Sequence, residues 1–339
     1  MKVYIDTSPL TSGHKVRGVG FYTKELIKAL EKDKGVLLVK SPKDADVIHY
    51  PFFDLFFLTL SPGRNKPTVV TVHDVIPLLY PKQYAPGFRG KAKFLIQKKR
   101  LQNVDAIITD SETSRKDIVR LLNIPQEKVF VTHLAPAEHF KQLKIGNWKL
   151  EIKNRYGLPE RFVLYVGDVN DNKNVQGLVN AFAHLPEELR LVLVGKGFEE
   201  SSLEAKSILE LIKYKGLEAK TKVLGFIPDE DLVKIYNLAS VVCLPSFYEG
   251  FGLPVLEAQR CGTPVVASKA QCLVEMSGDS AVFINPHDTK EMANALRSVL
   301  DNKTLRSRIV RAGLENAKSY SWGKTAKETI AIYNRLLSQ

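Results

Sequence analysis

The chain has 339 residues, 44% hydrophobic and 25% charged, with a formal net charge of +12. These values are typical of a soluble globular protein long enough for two domains, and no apolar stretch approaches the roughly 20 residues of a membrane span. We expect no secretory leader, because residues 1–6 turn polar at once, and we expect the three cysteines to be reduced and mostly buried in a cytoplasmic protein.

The positive charge is concentrated in the first half of the chain. Residues 1–150 hold 25 Lys and Arg against 14 Asp and Glu, whereas residues 151–339 hold 24 against 23. This asymmetry supports two domains. It also suggests an anionic partner for the first one, such as a phospholipid surface, a nucleic acid or a phosphorylated substrate.

Short apolar strands alternate with helical patterns along the chain. In the first half we predict strands over residues 3–6, 36–39, 47–49, 68–73, 106–109 and 129–132, with helices over 22–30 and from Ser111 to about Leu122. In the second half we predict strands over 162–166, 191–194, 222–224, 241–244, 264–267 and 281–284. Continuous apolar strands alternating with helices indicate parallel sheets covered on both faces.

We therefore predict an α/β protein of two Rossmann-like, doubly wound domains, with the ligand between them at the carboxyl ends of the strands. The expected domains are residues 1–155 and 156–320. The final segment, residues 321–339, reads as an amphipathic helix that could pack on either domain, and we assign it to the first.

One segment of the second half carries the strongest site pattern. It reads Pro245-Ser-Phe-Tyr-Glu249-Gly-Phe-Gly-Leu-Pro-Val-Leu-Glu257-Ala and follows an apolar strand. Glycines let backbone N–H groups approach a ligand, Pro254 suits the start of a helix, and a helix N-terminus attracts anions. The two glutamates could then reach opposite ends of an anionic ligand. The simpler alternative is a strand, turn and helix with an exposed Glu on each side.

Other motifs fail on inspection. Arg17-Gly18-Val-Gly20 follows the first strand, but Thr23 stands where a dinucleotide fingerprint needs its third glycine. Residues 44–46 and 229–231 have the Asp-x-Asp form of a metal-sugar site. The second follows Pro228 at a predicted helix start, where acidic residues favour the helix dipole, so we prefer a structural role for both.

Taken together, these motifs resemble glycosyltransferase family 4, whose members are retaining enzymes of the GT-B fold. The segment from Glu249 to Glu257 carries the resemblance, and further matches occur in the family's order over essentially the whole chain. They are Gly18-Val-Gly20, Thr71-Val-His73-Asp74-Val-Ile-Pro77, Ser111-Glu-Thr-Ser114, Val166-Gly167, Lys173-Asn174, Val194-Gly-Lys-Gly197, Leu224-Gly-Phe-Ile-Pro, Gly262-Thr-Pro-Val-Val-Ala-Ser268, Glu275, Gly278-Asp279 and Asn285-Pro286.

The resemblance implies roles for residues of the second domain. Glu257 would bind the ribose hydroxyls of a nucleotide-sugar, as a carboxylate suits a vicinal diol. Glu249 would bind hydroxyls of the transferred sugar, and Lys173 would add positive charge at the diphosphate. The backbone around Phe226 and Ile227 would bind the base. The transferred sugar and the diphosphate would be bound by the backbone N–H groups of Gly250, Phe251, Gly252 and Leu253.

In the first domain, the resemblance implies that Gly18 and Gly20 lie in a loop that approaches the diphosphate. His73 would contact the sugar near its 6-position, the alternative being a hydrogen-bonded histidine at a strand end. The leaving diphosphate would itself take the acceptor proton, with retention of anomeric configuration. Backbone donors and Lys173 could replace a divalent ion, so we expect neither a metal nor another cofactor.

The chain departs from the family at two positions. Many members carry an arginine where this chain has Asp168 or Asn172, so a bidentate phosphate clamp is missing. Lys196 and Arg17 are the candidates to substitute for it.

These observations predict a retaining hexosyltransferase that uses a nucleotide-sugar, with GDP-mannose and UDP-glucose favoured, and a hydroxyl acceptor such as a glycan or glycolipid. One alternative is a nucleotide-sugar epimerase or a phosphorylase of the same fold. Another is a basic, non-enzymatic nucleic-acid-binding protein, although the aromatic residues interleaved with basic ones in a groove are not evident. We therefore expect no nucleic-acid partner.

The stretch from residue 82 to residue 100 holds seven basic residues and no acidic one. Phe88, Phe94, Leu95 and Ile96 are interleaved with them. A helix here would carry a basic face beside an apolar patch, which is typical of a membrane-surface element. We therefore expect peripheral contact with anionic lipid at the inner face of the membrane, the alternative being a solvated helix whose apolar residues face the core.

Overall fold

A computed structural model of the chain describes residues 1–11, 18–62, 65–144, 146–199 and 202–338. The chain divides into two compact units. Unit 1 comprises Met1–Ala135 and Tyr320–Gln339, and unit 2 comprises Pro136–Ser319.

Unit 1 is built on a six-stranded parallel sheet with the order β2-β1-β3-β4-β5-β6. Its strands are β1 (Lys2–Ile5), β2 (Leu37–Val39), β3 (Val47–Tyr50), β4 (Thr68–Thr71), β5 (Ala106–Thr109) and β6 (Val129–Val131). Its helices are α1 (Ser8–Thr11), α2 (Gly18–Leu30), α3 (Ile76–Leu79), α4 (Phe88–Gln102), α5 (Glu112–Leu122) and a C-terminal helix (Trp322–Leu337).

Unit 2 is built on a second six-stranded parallel sheet, with the order β12-β11-β10-β7-β8-β9. Its strands are β7 (Phe162–Val166), β8 (Arg190–Val194), β9 (Thr221–Leu224), β10 (Val241–Leu244), β11 (Val265–Ser268) and β12 (Val282–Ile284). Its helices are α6 (Trp148–Tyr156), α7 (Val175–Phe182), α8 (Leu203–Tyr214), α9 (Asp229–Leu238), α10 (Leu253–Arg260), α11 (Gln271–Ser277), α12 (Thr289–Asp301) and α13 (Lys303–Lys318).

The strand order of unit 2 determines where a ligand can bind. The chain adds β8 and β9 on one side of β7, then returns to place β10 on the other side. The loops that follow β7 and β10 therefore diverge from neighbouring strands at the carboxyl edge of the sheet. In open α/β sheets this switch point is where ligands bind.

The boundary between the units lies at residues 135 and 136, about 20 residues before the expected one. The reason is that residues 136–156 pack on unit 2. Phe140 packs edge-on against Tyr236 of α9, and Arg155 of α6 donates to Asp231 of α9 at 2.8 Å. Asp231 is thus an ion-pair partner at a helix start, which agrees with the structural role preferred for the 229–231 motif.

The C-terminal helix belongs to unit 1 because aromatic and polar residues hold it there. Trp322 packs against the rings of Phe21 and Tyr22. The Tyr333 hydroxyl lies 2.6 Å from His49 Nδ1, and His49 Nε2 lies 2.8 Å from Thr71 Oγ1. His49 is fully buried on β3, and this burial lowers its pKa to about 3.

Two further expectations from the sequence concern the cysteines and membrane-spanning segments. Cys243, Cys261 and Cys272 are buried and form no disulfide bond, as expected. No helix in the described part of the chain combines the length and apolar character needed to cross a bilayer.

Candidate active site

The loops that follow β7 and β10 are tied together by their backbones at the switch point of unit 2. The amide N–H of Phe247 donates to the carbonyl of Asn172 at 2.8 Å, and the Asn172 side chain donates to the carbonyl of Tyr248 at 3.1 Å. Asn172, at a position where many family members carry arginine, is therefore a buried structural residue here.

This connection brings together Lys173 and Glu249, two of the residues that the sequence analysis assigned to the donor. The Lys173 ammonium donates to both Glu249 carboxylate oxygens, at 2.9 and 2.7 Å. The Ser246 hydroxyl donates to Glu249 Oε1 at 2.7 Å. Glu249 is only 6% exposed, and a buried carboxylate is costly unless it is paired and hydrogen-bonded. The site therefore holds a buried carboxylate whose charge is offset by one lysine.

Asn174 fixes the geometry of these loops, a role that sequence reasoning missed. It adopts a left-handed backbone conformation with φ 53°, which Asn tolerates better than most residues. Its side-chain amide donates to the carbonyls of Pro245 and Pro286 at 3.0 and 2.8 Å, while its oxygen caps α7 at Gly177. One side chain thus joins the loops after β7, β10 and β12.

Helix α10 begins directly after the glycine-rich turn. Gly252 has φ 101°, and a Cβ there would lie 2.4 Å from the Leu273 side chain, so only glycine fits. Leu253 and Pro254 form the first turn of the helix. Backbone N–H groups of a first turn have no partner within the helix and favour an anion. Of residues 250–253, Leu253 lies in this first turn and the other three precede it, and their phosphate-binding role stays a prediction.

Glu257 lies one turn into α10 and is half-buried. The Tyr236 hydroxyl donates to Glu257 Oε2 at 2.7 Å. Burial raises the pKa of Glu257 to about 7, although the hydrogen bond from Tyr236 favours the ionised form. The carboxyl group therefore titrates near neutral pH. Tyr236 is a site residue that the sequence pattern did not reveal.

The remaining predicted residues of unit 2 lie farther along the same edge of the sheet. Lys196 is exposed, directly after β8 and Gly195. The Phe226 ring is 47% exposed after β9, while Ile227 is buried. The backbone N–H of Phe226 donates to Glu199 Oε1 at 2.8 Å, a partner that sequence reasoning missed. A base bound through this N–H would have to replace the Glu199 carboxylate.

Asp168 stands at a position where many family members carry arginine, but its carboxylate cannot replace the arginine as a phosphate ligand. Its Oδ1 accepts a hydrogen bond from the adjacent Val169 amide at 2.9 Å. Among the described residues, no group of three His, Cys, Asp or Glu side chains is arranged to hold a metal ion. Lys196 therefore stays a candidate phosphate contact, while Arg17 lies outside the described residues.

In unit 1, His73 follows β4 and is hydrogen-bonded through both ring nitrogens. Nδ1 lies 2.8 Å from Asp110 Oδ2, and Nε2 lies 3.2 Å from the carbonyl oxygen of Pro51. Both partners are acceptors, which requires both nitrogens to carry a proton. Burial alone would lower the pKa of His73, but the Asp110 carboxylate outweighs it and the pKa is raised. In this orientation both N–H groups point at protein acceptors.

Gly18 and Gly20 do not lie in a loop, contrary to expectation. Both belong to the first turn of α2, which begins at Gly18, and Gly20 is buried. Among the residues that the structure describes, none crowds the position of a Cβ at Gly18. Any contact that these residues make with a phosphate would therefore come from the N-terminus of a helix.

Comparison with known families accounts for both units. The profile described as Glycosyltransferase Family 4 matches residues 36–135, and the profile described as Glycosyl transferases group 1 matches residues 148–316. The chain is 33% identical to O-antigen chain mannosyltransferase B of Escherichia coli, over 86% of this chain and 74% of that protein. It is 31% identical to the serotype-specific mannosyltransferase WbdA of E. coli over 81% of its length, spanning 34% of that longer protein.

Solved structures share the fold at low sequence identity. HepE from Anabaena, in complex with UDP and glucose, has a TM-score of 0.77 and 16% identity, covering 99% of both chains. WaaG, a glycosyltransferase of lipopolysaccharide biosynthesis, has a TM-score of 0.73 and 15% identity, covering 98% of this chain and 99% of that one. The profiles, the identity to the E. coli mannosyltransferase and the two parallel sheets agree: the chain belongs to glycosyltransferase family 4 and is a glycosyltransferase of the GT-B fold.

Proposed function

We propose that this glycosyltransferase transfers mannose from GDP-mannose to a hydroxyl group of a glycan or glycolipid, with retention of anomeric configuration. UDP-glucose is the second candidate donor. The proposal rests on the Lys173–Glu249 pair at the switch point of unit 2, one loop away from Glu257. The preference for mannose rests on the mannosyltransferase names of the relatives at 31–33% identity.

The donor would lie along the carboxyl edge of the unit 2 sheet. Glu257, in its ionised form, accepts hydrogen bonds from the ribose diol. The first turn of α10 and Lys173 bind the diphosphate, which therefore competes with Glu249 for the lysine. Glu249 then accepts hydrogen bonds from the transferred sugar. These roles use each group for chemistry that its surroundings favour.

The surroundings of Glu249 favour a mechanism without a strong protein base. In the unliganded protein Lys173 donates to both oxygens of this carboxylate and Ser246 donates to one of them, so protein donors already occupy the group that would otherwise be the nearest base. The leaving diphosphate takes the acceptor proton on the face from which it departs, which gives retention. The helix N-terminus and Lys173 stabilise the charge that develops on the phosphate oxygens, with no metal required.

We also propose that α4 binds the surface of an anionic membrane from the cytoplasmic side. Phe88, Leu95 and Ile96 are 90%, 68% and 45% exposed, so these three residues do not face the core. Phe94 does turn inward, where its ring packs against Phe56. The exposed apolar side chains lie on a helix that has no acidic residue. Charge complementarity therefore favours an anionic lipid surface.

The seven basic residues of this segment differ in their surroundings. Lys93 is half-buried, with its ammonium 5.0 Å from the centre of the Phe57 ring. Lys98 donates to the carbonyl of Leu121, and Arg100 to the carbonyl of Leu60, so both help to hold α4 in place. Arg89, Lys91 and Lys99 are exposed and are the ones that can meet phosphate groups of lipids. Lys82 lies before the start of the helix.

A screen of labelled nucleotide-sugars tests the proposed activity. Purified protein is incubated with GDP-mannose, UDP-glucose and other donors, with and without glycan acceptors. We expect transfer from GDP-mannose that depends on the acceptor. Conversion of a UDP-sugar without acceptor would indicate the epimerase alternative, and phosphate-dependent cleavage of a glycan would indicate the phosphorylase. No turnover together with nucleic-acid binding would favour the non-enzymatic alternative.

A further inference from the structure

A cavity of about 420 Å³ lies at the open edge of the unit 1 sheet. Its walls are edge strand β6 with the residues that flank it, the first turn of α5, and the second half of the C-terminal helix. This volume falls within the range of small-molecule sites, which is about 300–1,000 Å³. None of the residues assigned above to the donor lines it.

Two polar groups in the cavity wall lack partners in the part of the chain that the structure describes. Thr132 is fully buried, and its hydroxyl oxygen has no hydrogen-bond partner. The Nε of Arg115 is also buried without one. A buried polar group without a partner is costly, so both groups favour a ligand that can hydrogen-bond with them.

The charges in the wall exclude a simple anion. Arg115 donates to both carboxylate oxygens of Glu112, at 3.0 and 3.2 Å. The Arg335 guanidinium lies 5.2 Å from the centre of the Phe130 ring. Glu127 and Glu328 also line the cavity, so carboxylates outnumber guanidinium groups. Such a wall offers both donors and acceptors without a net positive charge, which suits a neutral ligand with many hydroxyl groups.

The rest of the wall is apolar and matches the C–H face of a sugar ring. It is formed by Val129, Phe130, Val131 and Ile332. We propose that this cavity binds a neutral oligosaccharide, namely a part of the glycan acceptor remote from the hydroxyl that reacts. This proposal rests on the proposed function for the identity of the acceptor.

The position of the cavity fits this role. Thr132 follows β6 at the carboxyl edge of the sheet, where its N–H donates to the carbonyl of Thr109 at 2.9 Å. His73 follows β4 at the same edge, two strands away. Two strand spacings correspond to about 10 Å, so one glycan chain could extend from the region of His73 to the cavity.

Three variants test the proposal. Ala331→Trp places a large side chain in the cavity from an exposed helical position, and Lys327→Trp makes the same change at an exposed position of that helix outside the cavity. Thr132→Val removes the hydroxyl without a partner and keeps the shape of the side chain. Because that hydroxyl makes no bond within the described protein, this variant should unfold at the same temperature as the wild type or higher.

Binding of α-linked mannotriose is measured by calorimetry and saturation-transfer NMR in the absence of donor. We expect binding to weaken at least about tenfold in Ala331→Trp, about three- to tenfold in Thr132→Val, and not at all in Lys327→Trp. If the cavity binds a remote part of the acceptor, the wild type should transfer mannose faster to long acceptors than to free mannose. This difference in rate should disappear in Ala331→Trp. Unchanged mannotriose binding in Ala331→Trp, equal loss in Lys327→Trp, or binding of inorganic phosphate in place of mannotriose would overturn the proposal.

The same experiment separates this proposal from the proposed function. Mannotriose binding with the expected variant pattern, but no transfer from any nucleotide-sugar, would reject the activity and leave the saccharide site. Transfer from GDP-mannose without mannotriose binding at the cavity would reject the site and leave the activity.

Discussion

Lys173 donates to both carboxylate oxygens of Glu249, at 2.9 and 2.7 Å, although 76 residues separate the two in the chain. Lys173 lies in the loop after β7 and Glu249 lies in the loop after β10, so the ion pair joins the two loops. It connects the group proposed to hold the diphosphate with the group proposed to hold the sugar, so each should respond when the other is changed.

Glu249→Ala should abolish sugar transfer but leave binding of free GDP unchanged or tighter, because Lys173 loses its competitor. Lys173→Ala should weaken GDP binding by about 1.5–3 kcal/mol, the usual range for a hydrogen bond to a charged group. Calorimetry with GDP and with GDP-mannose distinguishes the two effects. Glu315→Ala, which removes an exposed partner of Lys318, is the matched control. Equal loss of GDP binding in both site variants would contradict the assigned roles.

Nucleotide binding should depend on pH through Glu257. Its pKa of about 7 means that the ionised form, which is the form proposed to accept hydrogen bonds from the ribose diol, becomes scarce as the pH falls below 7. GDP affinity should therefore fall by up to about tenfold per pH unit between pH 7 and 5. Tyr236→Phe removes a hydrogen bond that favours the ionised form, so it should move this transition to higher pH. A flat profile in the wild type would rule out ionised Glu257 as the ribose ligand.

The same group should also lower the stability of the unliganded protein at alkaline pH. The folded-state pKa lies above the usual value of 4.5, so the folded state binds more protons than the unfolded state between those values. Stability should thus fall as the pH rises from 4.5 to 7. Glu257→Gln should stabilise the protein by up to about 3 kcal/mol at pH 8 and by much less at pH 5. Urea unfolding at both pH values measures this, and an equal effect at both would contradict it.

Asp110 should hold the pKa of His73 above its usual value. The raised pKa of His73 means that this pair contributes stability that is fully present below pH 6.5 and is lost as the pH rises through the folded-state pKa. Asp110→Asn should lower the pKa of His73 and destabilise the protein more at pH 6 than at pH 9. An NMR titration of the histidine ring protons measures the pKa directly. Buried His49 serves as the internal control, since it should not titrate above pH 5 in either protein.

Membrane binding should depend on the exposed basic residues of α4. Replacing Arg89, Lys91 and Lys99 with Gln should abolish binding to anionic liposomes, because each basic residue near such a surface contributes about 1 kcal/mol. High salt should reverse wild-type binding by screening. Zwitterionic liposomes should not bind. A control triple variant with Gln at exposed Lys24, Lys40 and Lys327 should bind as the wild type does. Absence of binding to anionic liposomes at low salt would reject the membrane proposal.

Local sequence patterns predicted the strands well, because each strand of a parallel sheet is a short apolar run between helices. Every predicted strand is present, and no strand end differs from the prediction by more than two residues. The helix start after Gly252 was also predictable from glycine and proline chemistry. The boundary between the units was not, because residues 136–156 are polar in pattern and join unit 2 through contacts with α9.

The partners of the site residues could not be predicted from local patterns. Each of three predicted residues has a hydrogen-bond partner from a different loop or helix. The pairs are Glu257 with Tyr236, Phe226 with Glu199, and His73 with Asp110. Asn174 was recognised within a motif, yet its hydrogen bonds reach residues 71 and 112 positions later. Such pairings follow from the order of strands, which periodicity does not encode.

The anomeric configuration of the product distinguishes a retaining glycosyltransferase from an inverting one. The wild type and Glu249→Ala are incubated with GDP-mannose and a mannose-terminated acceptor, and the new glycosidic linkage is examined by NMR as it forms. We expect an α-linked mannose, the configuration of the donor, from the wild type and no product from Glu249→Ala. A β-linked product, or undiminished transfer by Glu249→Ala, would contradict this expectation.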